Sequence, residues 1–299
     1  MSADFVMDVP PMRYVIVHYH IFKNGGSTIE SILRREFGSG FARLHGPAPE
    51  SVLGPRDVGA FLRRHPEVSA ISSHHLRYPL PDAPGVVIFD CCFLRHPLAR
   101  LQSLYSYLQG LSCSMDPLCC LAQRESPRTF LRWLADNAPH IVSNIQVTQL
   151  ANQGAFNRPA SRADLRRALD LLPQMSIPGL VEDYDESLAV AEFYLRPAFP
   201  DLALHYVPKN VTSPPEWRGL PPEEYLRDVW GSDLYQAMAH LNRLDIELFE
   251  GVREELAIRC AQIPRFPERL DAFRSRCSQR LVGQGERRFP AVVCGGRSS

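Results

Sequence analysis

The sequence predicts an α/β protein of three layers, a central, mostly parallel sheet flanked by helices. Short β-branched and aromatic runs alternate along the chain with segments of helical period. One run, Val86 to Leu94 (VVIFDCCFL), is apolar almost without a break, as a parallel strand buried on both faces must be. Another, Tyr14 to Tyr19, passes through a Gly-Gly turn straight into a helix.

Taken in order, Tyr14–Tyr19 is the first strand, and Lys23, Asn24, Gly25 and Gly26 make the turn. Ser27 or Thr28 begins a helix with apolar Ile29, Ile32, Leu33 and Phe37 on one stripe and Glu30, Arg34 and Arg35 outward. This junction makes an anion site. The first turn of a helix leaves N–H groups unpaired at the positive end of its dipole, and paired glycines let an anion approach the backbone. Lys23 adds a full charge, and the two hydroxyls stand beside it. Gly38 to Pro55 reads as a loop, Pro55–Arg64 as a helix ended by Pro66, and Glu67–Ser72 as a strand with Ser73, His74 and His75 at its end. After Val86–Leu94, Arg95 stands at the strand's carboxyl end and Pro97 opens a helix striped by Leu98, Leu101, Leu104, Tyr105 and Leu108.

From Gly110 to Pro159 the pattern is irregular, with helices near Thr129–Asp136 and Asn144–Ala151; this elaboration suits a lid or an acceptor platform. Ser161 caps a helix through Leu172, Ser176–Val181 is a strand, and Asp183 or Asp185 starts a helix through Leu195. Leu204–Val207 reads as a last strand before a Pro208-Lys209-Asn210 turn. Helices follow over Pro221–Trp230, Ser232–Leu256 and Glu268–Cys277. The expectation is one domain over 1–278 and a loosely held tail over 279–299.

Lys plus Arg equal Asp plus Glu at 33 each, so bulk attraction to nucleic acid or to an anionic membrane is not expected and any basic site is local. Eight cysteines in 299 residues are no disulfide scaffold and show no zinc spacing, though Cys113, Cys119 and Cys120 share a loop where a disulfide is conceivable. No secretory leader and no run of about 18 apolar residues appears. The expectation is a soluble, cytoplasmic protein without a membrane span, or a Golgi-lumenal one if the chain is an excised eukaryotic domain.

The lysine precedes the glycines, the reverse of the nucleoside triphosphate P-loop. Lys23-x-Gly-Gly-Ser-Thr resembles instead the 5′-phosphosulfate loop of sulfotransferases that use 3′-phosphoadenosine 5′-phosphosulfate, PAPS. Cys91 to Leu108, CCFLRHPLARLQSLYSYL, resembles their 3′-phosphate motif, with Arg95 and Ser103 in the matching places. Arginine presents a planar, permanently charged fork to a dianion, and the serine donates one further hydrogen bond. Alone, Arg95 could equally pair with a carboxylate. The segments GLVEDYDESLAVAEFYL, LHYVPKNVTSP and LNRLDIELFEGV resemble later landmarks of the membrane-type carbohydrate sulfotransferases, particularly the group containing heparan sulfate 2-O-sulfotransferase. Those enzymes carry a transmembrane anchor that this sequence lacks.

The resemblance implies a P-loop-like sulfotransferase fold and in-line transfer of a sulfuryl group to a hydroxyl, most readily of a carbohydrate, with a small-molecule or lipid hydroxyl as the alternative. It implies PAPS bound by Lys23, Asn24, Gly25, Gly26, Ser27, Thr28, Arg95 and Ser103, with Lys209 and Asn210 in a late loop that closes over the nucleotide. No metal is required. For the base, SSHHLRYPL matches the family's short histidine segment with His75 on the principal position and His74 as the near alternative; histidine suits the task because it titrates near neutral pH. His18, His20 and Arg77 are candidates to line the acceptor site. His18, His20 and His75 could in principle ligate a metal, but strand histidines are more often hydrogen-bonded core residues. A P-loop-like kinase would need lysine after the glycines and an acidic magnesium ligand, whereas Asp90 is mid-strand. A non-catalytic nucleotide-binding module would keep Lys23 and Arg95 without needing His75. The sequence leaves the oligomeric state open.

Overall fold

A computed structural model describes residues 12–48, 50–81, 83–114, 116–151, 158–208 and 222–286. Its centre is a sheet of five strands, β1 (Arg13–Tyr19), β2 (Phe41–Arg43), β3 (Ala70–Ser73), β4 (Val86–Leu94) and β5 (Ile177–Leu180), in the order β2-β3-β1-β4-β5. Every pair is parallel, with His18 opposite Ser72 on one side of β1 and opposite Cys91 on the other. The chain leaves β1 towards β3 and β2, then returns to build β4 and β5 on the far side. The connections therefore diverge at β1, which opens a crevice beyond the carboxyl ends of β1 and β4.

Helices cover both faces: α1 (Gly26–Phe37), α2 (Pro55–Arg64), α3 (Pro97–Gln109), α8 (Arg162–Leu171), α9 (Tyr184–Leu195), α12 (Arg243–Gln262) and α13 (Phe266–Glu286). Between α3 and α8 lie α4 (Pro117–Arg124), α5 (Pro127–Asn137), α6 (Pro139–Val142) and α7 (Ile145–Ala151), and before α12 lie α10 (Pro222–Trp230) and α11 (Ser232–Leu241). The period of two divides the strands between two cores. Val15, Val17, Cys92 and Leu94 pack with Val58, Leu62, Leu248 and Phe249 from α2 and α12. Ile16, Cys91 and Phe93 pack with Ile29, Leu33, Leu188 and Phe273 from α1, α9 and α13. A third core, built around Leu98, Leu101, Phe130, Leu134, Trp230 and Met238, joins α3 to α5, α10 and α11.

The expected loop 38–55 contains a 3-10 turn and β2, an edge strand of three residues, too short to show a period. The irregular stretch 110–159 holds four helices rather than two, three of which open on a proline in the first turn. Leu204–Val207 is not a strand. Its neighbourhood is held by side chains instead: Arg35 donates to the carbonyls of His205 (2.6 Å) and Ala203, while Glu36 and Glu192 accept from the N–H groups of Ala203 and Leu204, both at 3.0 Å. Arg35, expected to face outward, is thus half-buried in this work. The expected helix 232–256 breaks at Asn242, whose amide donates to the carbonyls of Val142 (2.7 Å) and Met238 (2.9 Å). α13 continues through Glu286, into the stretch expected to be a loose tail. Cys91, Cys92, Cys113, Cys119 and Cys120 are thiols. Among the described residues no helix is long and apolar enough to cross a membrane.

Candidate functional site

The turn after β1 is a tight left-handed path, with φ of 70° at Lys23 and 72° at Gly25. A left-handed lysine carries a steric cost of roughly 1 kcal/mol, and the surroundings hold it in place. The Asn24 amide, 1% exposed, donates to the Phe93 carbonyl at 2.9 Å and to Gln146 Oε1 at 2.7 Å. The two glycines have separate causes. Gly25 lies against Tyr184, whose hydroxyl donates to the Gly25 carbonyl at 3.1 Å. Gly26 lies under the His20 ring, where a Cβ would fall 1.9 Å from Nε2. α1 has no acidic residue in its first turn and no side-chain cap, so its positive end is not neutralised from within the helix.

Two cations converge on this turn. Arg95 Nη1 donates to the Lys23 carbonyl at 3.3 Å, and Lys23 Nζ lies 4.0 Å from the Tyr107 ring centroid. Among the described residues neither makes an ion pair within 4.0 Å. Burial, with the Arg95 charge adding to it, lowers the Lys23 pKa to about 8. Burial also lowers Arg95, with Glu182 opposing. Arg95 Nε is buried and has no hydrogen-bond partner among the described residues. Paired, half-desolvated cations beside an uncapped helix start fit an oxyanion of high charge. Ser103 is buried on α3, and its hydroxyl hydrogen-bonds to no described residue.

Gln146 joins the Asn24 turn to the Arg95 backbone. Its Oε1 accepts from Asn24 and from the Arg95 N–H (3.0 Å), and its Nε2 donates to the Arg95 carbonyl at 2.9 Å. Asp245, on α12, places it by accepting from the N–H groups of Gln146 (3.0 Å) and Val147 (2.9 Å) at the start of α7. Neither residue was marked by the sequence, because the contacts run between segments about a hundred positions apart.

The histidines divide. His74 donates Nδ1–H to the His20 carbonyl at 2.7 Å, which leaves the lone pair on Nε2, and its ring lies 3.8 Å from that of His20. Its own carbonyl accepts from Arg77 (2.8 Å) and Gln149 (3.0 Å). Burial, then the proximity of His20, lowers the His74 pKa to about 4. His74 and His75 lie in the bend after β3, and His75 turns towards the 45–53 loop, where its Nδ1 accepts from the Gly46 N–H at 2.8 Å. Phe22 bridges His74 (5.9 Å between centroids) and Tyr107 (5.4 Å), so His74 is the histidine on the Lys23 side. Arg77 is buried behind it, its pKa lowered by burial to about 10. Ser27 is exposed and Thr28 buried in the first turn of α1. Lys209 and Asn210 lie outside the described residues.

Glu30 corrects the sequence reading most. Expected outward, it is 6% exposed and accepts from His20 Nδ1 (3.1 Å), Ser72 Oγ (3.1 Å) and Arg43 Nε (2.8 Å). Burial pushes its pKa up, but the bonds from His20 and Arg43 outweigh burial and hold it at about 2. His18 completes the cluster through Ser72 at 2.9 Å. Among the described residues no group of three or more His, Cys, Asp or Glu is arranged to hold a metal ion.

The fold defines an α/β protein with a five-stranded parallel sheet, and Lys23 and Arg95 meet at the carboxyl ends of its central strands. No protein-family model matches the chain. It is similar to an uncharacterized protein of Archaeoglobus fulgidus, 28% identical over 248 residues that cover 80% of this chain and 96% of that protein.

Proposed function

We propose that this protein is a sulfotransferase that moves a sulfuryl group from PAPS to a hydroxyl, most readily of a carbohydrate. One observation carries the reading: Arg95 and Lys23, from two motifs separated by 72 positions, meet at the uncapped start of α1, and among the described residues neither forms an ion pair within 4.0 Å. PAPS supplies the activated sulfuryl group on a carrier with two further phosphates. Lys23 and the first N–H groups of α1 hold the charge that develops where the group is transferred. Arg95, with the Ser103 hydroxyl, holds the second anion, the 3′-phosphate. Gln146 keeps the two anion sites in register.

For the acceptor's proton the geometry favours His74 over His75, because its Nε2 carries the lone pair on the Lys23 side whereas the His75 Nδ1 already accepts from Gly46. The exposed rings of Phe22 and Tyr107 flank that position and suit the C–H face of a sugar. Asp90 is engaged by Tyr78 (2.8 Å) and Ser176 (2.8 Å), away from the turn, which weighs against a magnesium-dependent kinase. Calorimetric titration with adenosine 3′,5′-bisphosphate, with ADP as the control lacking a 3′-phosphate, tests the reading. Tight binding of the first and little of the second is expected; equal or absent binding overturns it.

A further inference from the structure

We propose that Glu30 is a positioning residue for the proton-accepting histidine, acting through His20; the inference rests on the sulfotransferase reading. A carboxylate can only accept, so the 3.1 Å contact places a proton on His20 Nδ1 and leaves Nε2 outside the Glu30 contact. That nitrogen is aimed at Gly26, close enough that a Cβ there would stand 1.9 Å away. The same His20 supplies His74 with a carbonyl for Nδ1–H and with a ring surface 3.8 Å away. Both contacts that set the His74 tautomer and ring plane therefore come from a residue that Glu30 holds.

The clamp is rigid because Glu30 has several partners. Arg43 from β2 and Ser72 from β3 occupy the remaining acceptor positions of its carboxylate, and His18 from β1 backs Ser72. Glu30 sits on α1, whose first turn is the anion site. One helix thus carries both the anion-binding turn and the residue that orients the base, and the distance between donor and base becomes a property of α1 rather than of a loop.

Nitrogen-15 correlation spectra of the imidazoles test the inference in the intact wild-type protein without any turnover. His20 and His74 are both expected as Nδ1–H tautomers, and a wild-type His20 protonated on Nε2 alone overturns the proposal. In Glu30→Met the His20 signal is expected to lose that single tautomer, with turnover falling roughly 100-fold and adenosine bisphosphate affinity changing by less than about threefold. Glu30→Gln, which keeps one acceptor oxygen, is expected to retain the tautomer and recover most of the rate. Unchanged tautomers with unchanged turnover in Glu30→Met overturn the inference, as does an affinity loss as large as the rate loss, since Glu30 would then only hold α1 in place. Failure of the wild type to bind adenosine bisphosphate defeats the sulfotransferase reading instead and leaves the tautomer result standing.

Discussion

His74 donates its Nδ1 proton to the backbone carbonyl of His20 across 2.7 Å, and that bond decides which nitrogen of His74 is left as a base. His74→Ala is therefore expected to lower turnover by roughly 10² to 10⁴-fold. His75→Ala removes an acceptor for the Gly46 N–H and a ring that lies against His45, and is expected to cost about 1 kcal/mol of stability with a modest change in rate. Transfer of labelled sulfate to a panel of hydroxyl acceptors measures both. A larger loss in the His75 variant would move the base to that residue.

Lys23 titrates within reach of ordinary buffers. Its pKa is lowered from 10.5 to about 8, so its charge is complete below that value and disappears as pH rises through it. Affinity for adenosine bisphosphate is expected to weaken about tenfold per pH unit above this point. In Lys23→Arg the decline should vanish, because guanidinium stays charged. Calorimetry from pH 6 to about 10 reads the difference, and a flat wild-type profile removes Lys23 from the anion site.

Gly26→Ala puts a methyl into the His20 ring. The expected cost is about 1–3 kcal/mol, read as a lower melting temperature, together with loss of activity as His20 is displaced. Adding His20→Ala makes room and should restore the melting temperature but not the rate. A double variant as unstable as the single one would locate the strain elsewhere.

Gln146→Leu leaves one of the two Asn24 amide protons and the Arg95 N–H without an acceptor. Each buried unpaired group costs about 1–3 kcal/mol, so both the melting temperature and bisphosphate affinity should fall. A variant that melts early yet binds normally would show that the clamp supports the fold alone.

Stability should also fall on mild acidification. Burial holds His18 well below the ordinary value of 6.5 and His74 at about 4, so the unfolded chain takes up these protons first. Stability is then fullest above pH 6.5 and declines as pH falls towards 4. Glu30, lowered from 4.5 to about 2, contributes a second loss below that window. Melting temperatures across pH should show a shallower first slope in His74→Ala, and an unchanged slope would shift the effect to other groups.

Local pattern carried much of the architecture. The strand, glycine turn and helix around Lys23, the buried run of β4 and the Ser161 cap were legible because period and capping chemistry act over a few neighbouring residues. What sequence left hidden depends on distant partners. Glu30 has the look of a solvated helix position until Ser72 and Arg43 arrive from β3 and β2 and His20 from the residue that follows β1. Gln146 and Asp245 reach the site only once α7 and α12 are packed. Leu204–Val207 has the side chains of a strand, but the ladder it would have needed is replaced by Arg35, Glu36 and Glu192. His74 and His75 could not be separated until the backbone direction was known.

The third core, that of the helical annex, is a hydrophobic cluster apart from the two that flank the sheet. α3 is its root: the helix starts just beyond Arg95 and buries Leu98, Leu101 and Leu104 among α5, α10 and α11 rather than against the sheet. Substitutions in the annex can therefore reshape that wall of the crevice while the sheet keeps its packing. On the proposed sulfotransferase reading, such a division would let one acceptor be exchanged for another without rebuilding the donor site.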